Sequence, residues 1–523
     1  MNLFTILDQA RANYPDKKAV VCGARSLTYA EFFRRARGAA DLFEEEGVRA
    51  GGAVAMLHRN CHLVLEAYFA AAAVGACFVP LNVRLSPEEI ALIVTDSRAS
   101  VLIVEPLFAK TARAALDLLP GEARPRLFAS YGTSPDSLDT RIGKSPAPPH
   151  TPAVSGGGSD PAQLYYTSGT TGRSKGVILT HANVASHAAA TIESLKIDES
   201  DVWLHAAPLF HLADAWATWA ITWAGGCHVV LPSFDGSEVF DTIAAEGVTI
   251  TNLIPTMLNR LVHHEAADSR KLRTMRRILS GGAPMALDLL KKIEKLFPCE
   301  YVQTYGLTET SPFLTLSLPT ESVRSLPAAE QQRYRAMTGR PMKGVEVKVV
   351  DREGRAVPRD GRTVGEIVAR GPWVTPGYFK RPEETARAFR GGWFHTGDLA
   401  HVEAEGYLTI VDRIKDVINT GGELVYSTEV ENALYAHGAV REAAVFAIPD
   451  AEWGESVMAA VVVDRQRAAC GDDLIAFCRR RLASYKVPSR IDLVDSLPRT
   501  GSGKIDKKAL REPWWRGREK RIQ

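Results

Sequence analysis

An apolar run ending at Tyr166 delivers the chain into Thr167-Ser168-Gly169-Thr170-Thr171-Gly172-Arg173-Ser174-Lys175-Gly176. A second apolar run, Val177-Ile178-Leu179, leads away as far as Thr180-His181-Ala182-Asn183. The composition suits a polyphosphate. Glycines let backbone N–H groups turn inward, the Ser and Thr hydroxyls add donors, and Lys175 adds a positive charge. The run is not a Walker loop, which requires G-x-x-x-x-G-K-[ST]. Ser174 stands before the lysine where glycine is required, and Gly176 follows it where a hydroxyl is required.

Other stretches carry groups of use to the same chemistry. Glu309, in Gly306-Leu307-Thr308-Glu309, is a candidate metal ligand with a motif around it. A lone carboxylate is enough for Mg2+ when phosphate oxygens and water supply the remaining ligands. Gly281-Gly282-Ala283 follows the apolar strand Arg277–Ser280, where an open sheet presents its carboxyl edge and two glycines let a flat base approach the backbone. Asp398, in His395-Thr396-Gly397-Asp398-Leu399, reads as an acid in a turn, like those that accept from ribose hydroxyls. Lys504, in Thr500-Gly501-Ser502-Gly503-Lys504-Ile505, is a glycine-flanked cation on a loop able to bring an ammonium to reacting oxygens and withdraw it.

Tyr-Thr-Ser-Gly-Thr-Thr-Gly-Arg-Ser-Lys-Gly at 166–176 resembles the signature of the adenylate-forming superfamily: acyl-CoA synthetases, peptide-synthetase adenylation domains and beetle luciferases. Further matches follow in that superfamily's order. They are Ser280-Gly281-Gly282-Ala283-Pro284, Tyr305-Gly306-Leu307-Thr308-Glu309-Thr310, Thr396-Gly397-Asp398, Asp412-Arg413-Ile414-Lys415-Asp416 and Arg499-Thr500-Gly501-Ser502-Gly503-Lys504. They span most of the chain.

The resemblance implies that a carboxylic acid, a poor electrophile, is converted with ATP to an acyl-adenylate that a thiol then attacks. By the same resemblance Thr167, Ser168, Gly169, Thr170, Thr171 and Lys175 hold the phosphates. Gly281, Gly282 and Ala283 form the adenine wall, and Tyr305 lies along the base. Thr308 donates to the α-phosphate, Glu309 holds Mg2+, and Asp398 and Arg413 take the ribose. Lys504 serves the first half-reaction. The C-terminal domain then turns about Lys415, bringing Gly421 and Gly422 against the site and opening a channel for CoA. His211 stands at the mouth of the acid pocket, which Ala213, Trp216 and Gly306 help to line. Trp216 resembles the aromatic gate of long-chain members, with a one-residue gap in the alignment.

The acid pocket must set specificity. From Ile197 to Asn259, 63 residues, there is no Lys or Arg. A second carboxylate on the substrate would need a buried cation, so malonate-like acids are disfavoured. The expected acid is an apolar monocarboxylate, a medium- or long-chain fatty acid first and an aryl acid second. A ligase loading a carrier protein would share every motif, and a non-catalytic nucleotide-binding relative is the remote alternative.

With 63 Lys and Arg against 61 Asp and Glu, the chain lacks the basic excess of a nucleic-acid partner. Its seven cysteines are scattered, without a C-x-x-C pair, as suits reduced thiols in a cytoplasmic protein, and they offer no metal site. No segment reads as a signal peptide or a membrane span. Small molecules (the acid, ATP and CoA) are the expected partners, and a homodimer is compatible with the sequence.

These groups need positioning. At 523 residues more than one core is expected. The expected class is α/β: a large N-terminal domain, 1–414, of two helix-flanked mixed sheets plus a small β-barrel-like unit at about 338–412, and a small mobile α+β domain, 415–523. Residues 1–120 alternate helix and strand, with Thr28 and Ser86 as caps. A proline- and glycine-rich stretch, 132–160, reads as a flexible linker, and a second alternating block runs from about 162 to 318. The charged tail 512–523 reads as solvated.

Overall fold

The computed structural model describes residues 1–132, 136–144, 155–168, 174–464, 467, 469–499 and 505–516, the side chains of Lys144 and Ser168 excepted. Three of the helices begin on reciprocal capping boxes that the sequence supplies. Thr28 accepts from the Glu31 N–H while Glu31 accepts from the Thr28 N–H, and this box opens the helix Tyr29–Glu45. Ser86 with Glu89 opens Pro87–Ser97, and Thr180 with Asn183 opens His181–Leu195. Each cap is worth about 1 kcal/mol. The last one stops the strand that leaves the phosphate loop.

Two large sheets form the body of the N-terminal region. One runs Arg126–Ala129, Ala99–Val104, Ala53–Leu57, Cys77–Leu81, Pro161–Ser168 and Ser174–Thr180, parallel until the final antiparallel pair. Ala53–Leu57 and Cys77–Leu81 are buried at every residue, as strands covered by helices on both faces must be. The other runs Arg340–Pro341, Phe313–Leu316, Glu300–Gly306, Arg277–Ser280, Ile250–Asn252, Val202–His205, Cys227–Val230, Lys18–Cys22 and Arg25–Thr28. Its strands from Glu300–Gly306 through Lys18–Cys22 are parallel.

The two alternating blocks of sequence therefore exchange pieces. The hairpin near the start of the chain closes the far edge of the second sheet, and the phosphate-loop hairpin joins the first. A third, antiparallel sheet holds Glu346–Val350, Gly365–Arg370, Trp393–Val402, Phe389–Arg390 and Leu408–Arg413. After it, Glu423–Val425, Ile418–Thr420, Gly454–Val463, Val440–Asp450 and Arg490–Leu493 build a separate sheet with its own core.

Three expectations need correction. Within the stretch read as a flexible linker, Leu138–Lys144 is a helix, with Leu138 and Ile142 buried. Asp139 on that helix meets Arg35 at 2.5 Å and Arg25 at 2.9 Å, and Arg35 also holds the buried Glu66 at 2.7 Å. The polar composition was that of an ion-paired face. The tail is not wholly solvated either. The helix Lys507–Trp515 places Trp514 and Trp515 against the last sheet, and the Trp515 indole donates to the Ala447 carbonyl at 3.0 Å. Finally, Asp398 lies in the strand Trp393–Val402 and not in a turn. Gly397 takes φ +74°, and the strand's register shifts between Leu399 and Ala400, an irregularity of the kind that bends a strand locally.

Candidate active site

The strand Ser174–Thr180 carries Lys175 out of the phosphate loop. A segment from 372 to 379 runs alongside it: the Phe379 N–H donates to the Gly176 carbonyl at 2.8 Å and the Ile178 N–H to the Gly377 carbonyl at 3.1 Å. This pairing sets Tyr378 between two charged groups. Its ring centroid lies 4.5 Å from the Lys175 ammonium, and its hydroxyl donates to Glu309 Oε1 at 3.0 Å. Glu309 sits in the 3-10 turn Thr308–Thr310 with its carbonyl accepting from the Thr375 N–H at 2.7 Å. Packing raises the Glu309 carboxyl above the ordinary glutamate range, against the pull of Tyr378, Lys175 and Arg413.

Tyr305 is the penultimate residue of Glu300–Gly306, and its hydroxyl donates to Asp398 Oδ2 at 2.9 Å. Arg413, Asp398's cross-strand neighbour, puts Nε 3.2 Å from Oδ1 of the same carboxylate. Asp398 is 4 % exposed. Because the turn Thr308–Thr310 that bears Glu309 follows directly on the strand that bears Tyr305, the Lys175–Tyr378–Glu309 and Tyr305–Asp398–Arg413 groups share one region at the carboxyl ends of the parallel strands.

The glycine turn lies on the neighbouring strand. Gly281 packs so closely on Thr304 that an added β-carbon would lie 2.4 Å from its hydroxyl oxygen, and Gly282 takes φ +83°. Gln303 Nε2 donates to the Ala283 carbonyl at 2.9 Å, and the Thr304 hydroxyl donates to the Ser280 carbonyl at 3.1 Å. The turn is therefore held flat against the strand bearing Tyr305. Gly306 has no room for a side chain, since a β-carbon would lie 1.7 Å from the Pro312 carbonyl oxygen.

The stretch without cations folds as Val202–His205, the short helix Leu212–Ala215, the helix Ala217–Ala224 and Cys227–Val230. His211 caps the short helix, with Nδ1 accepting from the Ala213 N–H at 3.1 Å. The Ala213 carbonyl accepts from the Trp216 indole at 3.1 Å and from the Asn252 amide. Trp216 is fully buried, with Phe313 and Trp203 edge-on at 4.9 and 5.0 Å and His187 at 5.9 Å. It forms a fixed wall of rings.

Lys415 follows the strand Leu408–Arg413, and its carbonyl accepts from Arg511 at 3.5 Å. Gly421 and Gly422 form the turn between Ile418–Thr420 and Glu423–Val425, both at positive φ, with the Gly421 N–H donating to the Trp453 carbonyl at 2.9 Å. Gly169, Thr170, Thr171 and Lys504 lie outside the described residues, as does the Ser168 side chain. Thr167 pairs with Lys175 across the hairpin.

Sequence reasoning missed Tyr378 and Gln303, and it quoted Asp412 within a motif without giving it a role. Asp412 Oδ2 accepts from the Ser427 N–H at 2.5 Å, and Lys507 bonds Ser427 and Glu431, each at 2.7 Å. Tyr378 stands in Thr375-Pro376-Gly377-Tyr378-Phe379, where a proline and a glycine mark a turn but nothing marks the aromatic as part of a site.

A cation, a carboxylate suited to a metal and an acid–arginine pair converge at the carboxyl edge of α/β sheets, with a small unit joined at its rim. This is the architecture of an adenylate-forming ligase. Residues 7–379 match the family model described as AMP-binding enzyme, and 429–504 match the AMP-binding enzyme C-terminal domain. The chain is 39% identical over 498 residues to a feruloyl-CoA synthase from an Amycolatopsis species, covering 95% of this chain and 96% of the relative. It is 35% identical over 532 residues to a long-chain-fatty-acid–CoA ligase of Thermus thermophilus, covering 98% and 96%. The crystal structure of ATP-bound MatB from Rhodopseudomonas palustris superposes with a TM-score of 0.88 at 30% identity, covering 98% of both chains. The chain belongs to the AMP-binding enzyme family and is an AMP-forming ligase that joins acids to thiols. Among the described residues no helix is long and apolar enough to cross a membrane.

Proposed function

We propose that this protein activates an apolar monocarboxylic acid as its acyl-adenylate and transfers the acyl group to CoA, releasing pyrophosphate and AMP. The convergence of Lys175, Glu309, Tyr305, Asp398 and Arg413 in one region carries the reading.

Asp398 and Arg413 orient the ribose, Tyr305 and the turn Gly281–Ala283 confine the base, and Lys175 with the loop from Thr167 to Thr171 neutralises the phosphates. Thr308 donates to the α-phosphate. Glu309 fits a divalent cation: it is held by a tyrosine hydroxyl at one oxygen, and its burial disfavours bare charge. Mg2+ held there would offset charge on the phosphate oxygens. Lys504 brings its ammonium to the reacting carboxylate and phosphate. For the second half-reaction the C-terminal region, from 415 onward, turns about Lys415 and presents Gly421 and Gly422 to the pantetheine arm. That turn has to release Ser427 from Asp412.

For the acid, an aryl or arylalkenoic acid is the first reading. The wall of Trp216, Phe313, Trp203 and His187 offers ring edges and no cation, and the 39% identical relative is a feruloyl-CoA synthase. A medium- or long-chain fatty acid is the second reading, supported by the Thermus relative. Acid-dependent ATP–pyrophosphate exchange over cinnamic, benzoic and straight-chain acids, followed by thioester formation with CoA or a carrier protein, tests both. Exchange that no acid stimulates would overturn the reading.

A further inference from the structure

Behind the ring wall, four side chains with 0 % exposure form a polar chain that the reaction described above does not use. Asp214 Oδ1 accepts from the Trp203 indole at 3.1 Å, and Oδ2 lies 2.8 Å from His205 Nδ1. His205 Nε2 lies 2.9 Å from His228 Nδ1, and His228 Nε2 lies 2.9 Å from the Thr222 hydroxyl. The two imidazole planes lie within 14° of each other, with ring centroids 5.2 Å apart.

Two proton arrangements with both imidazoles neutral satisfy the contacts. In one, an ionised Asp214 accepts from Trp203 and from His205 Nδ1–H, His205 Nε2 accepts from His228 Nδ1–H, and His228 Nε2 accepts from the Thr222 hydroxyl; in the other, a protonated Asp214 donates to His205 Nδ1 and each histidine Nε2–H donates onward, the last to the Thr222 hydroxyl. In both, a buried polar group costs free energy unless every partner is in place, so a fully satisfied chain of this kind fixes the elements that carry it.

The chain links four elements. Asp214 is on the helix Leu212–Ala215, Thr222 on Ala217–Ala224, His205 on Val202–His205 and His228 on Cys227–Val230. A four-residue helix has no stability of its own, so its angle and height over the sheet are set by what grips it. On one side that is Asp214. On the other are the bonds of Ala213 to His211, Trp216 and Asn252.

We propose that Asp214, His205, His228 and Thr222 are a positioning device for the acid pocket, fixing the short helix that contains Ala213 and is flanked by His211 and Trp216, and so deciding which acids fit. The inference rests on the reading that this helix walls the acid pocket. Asp214 is a positioning residue, because it touches the pocket wall from behind.

The test uses the full chain and the variants Asp214→Asn, Thr222→Val and Thr222→Ser, with KM and kcat for acid and for ATP measured over aryl and straight-chain acids. Thr222→Val keeps the shape and removes the hydroxyl, leaving His228 Nε2 buried without its partner. The acid KM should rise about tenfold, the worth of one buried hydrogen bond. The ATP KM should hold within about twofold of wild type, the order of preference among acids should change, and Thr222→Ser should restore both. Asp214→Asn should show the same split more strongly, and if it fails to fold, Thr222→Val decides alone. Acid and ATP KM rising together, or an unaltered order of acids, overturns the proposal. A wild type that turns over no acid refutes the functional reading instead.

Discussion

Gly281→Ala tests the nucleotide wall most directly. The new β-carbon would lie 2.4 Å from the Thr304 hydroxyl oxygen and 2.9 Å from the Thr304 carbonyl oxygen. Thr304 cannot retreat as a whole, because its strand is paired to Arg277–Ser280 on one side and Phe313–Leu316 on the other. Rotating the side chain forfeits its bond to the Ser280 carbonyl, about 1 kcal/mol. Shifting the backbone after Ser280 adds overpacking strain of about 1–3 kcal/mol. If half of a total near 3 kcal/mol falls on contacts to the base, the KM for ATP rises about tenfold, since a decade costs about 1.4 kcal/mol. Acid-dependent ATP–pyrophosphate exchange gives the KM, and a thermal-shift titration with ATP gives binding without turnover. Gly121→Ala, where nothing lies within 4 Å of the added carbon, serves as the control. A Gly281→Ala protein with wild-type melting temperature and wild-type ATP KM would refute the argument that this turn is the wall against the base.

Lys504→Ala should lower acyl-adenylate formation by about 10²–10³, as expected for losing a charge aimed at the transition state. It should leave thiolation of supplied acyl-adenylate largely intact; equal loss in both halves would remove the division of labour. Glu309 has a raised pKa because burial penalises its charge, so a proton competes with Mg2+ at higher pH than for an ordinary glutamate. The Mg2+ needed for half-maximal exchange should climb as pH falls. Glu309→Gln should abolish that dependence along with exchange, yet melt no lower than wild type, because the charge it removes costs stability once ionised. A variant that keeps Mg2+-dependent exchange would sink the assignment. His187, buried and accepting from the Phe313 N–H at 3.1 Å, is lowered to about 3 by burial. Its neutral form supports the fold fully above the ordinary histidine value of about 6.5 and loses that support as pH falls towards 3, a total of roughly 5 kcal/mol. His187→Gln keeps an acceptor for Phe313 and should flatten the fall in melting temperature across that window; an unchanged slope would refute it.

Local chemistry was legible where it acts locally. Thr28 and Ser86 announced their helices because capping needs only residues three apart, and Arg277–Ser280 could be read as a strand because its turn and apolar run are contiguous. What failed was pairing over distance. Nothing in Leu138–Lys144 betrays that Asp139 meets Arg25 and Arg35, so a polar segment looked like a linker. Tyr378 bonds a carboxylate 69 positions away, and no spacing rule reaches that far. Asp398 looked like a turn residue because Gly397 precedes it, although both lie within a strand. The buried chain from Asp214 to Thr222 escaped notice because its histidines and threonine are scattered among apolar neighbours in a stretch read for its lack of cations.

The edge hairpin of the larger sheet constrains how the protein is made. Lys18–Cys22 pairs with Cys227–Val230, so a ribosome working at about 5–20 residues per second leaves that strand waiting roughly 10–40 s for its neighbour. Throughout that interval one edge of the strand lacks its parallel neighbour. Newly made chains should therefore depend on a nascent-chain chaperone, and slowing translation should raise the share that aggregates before release.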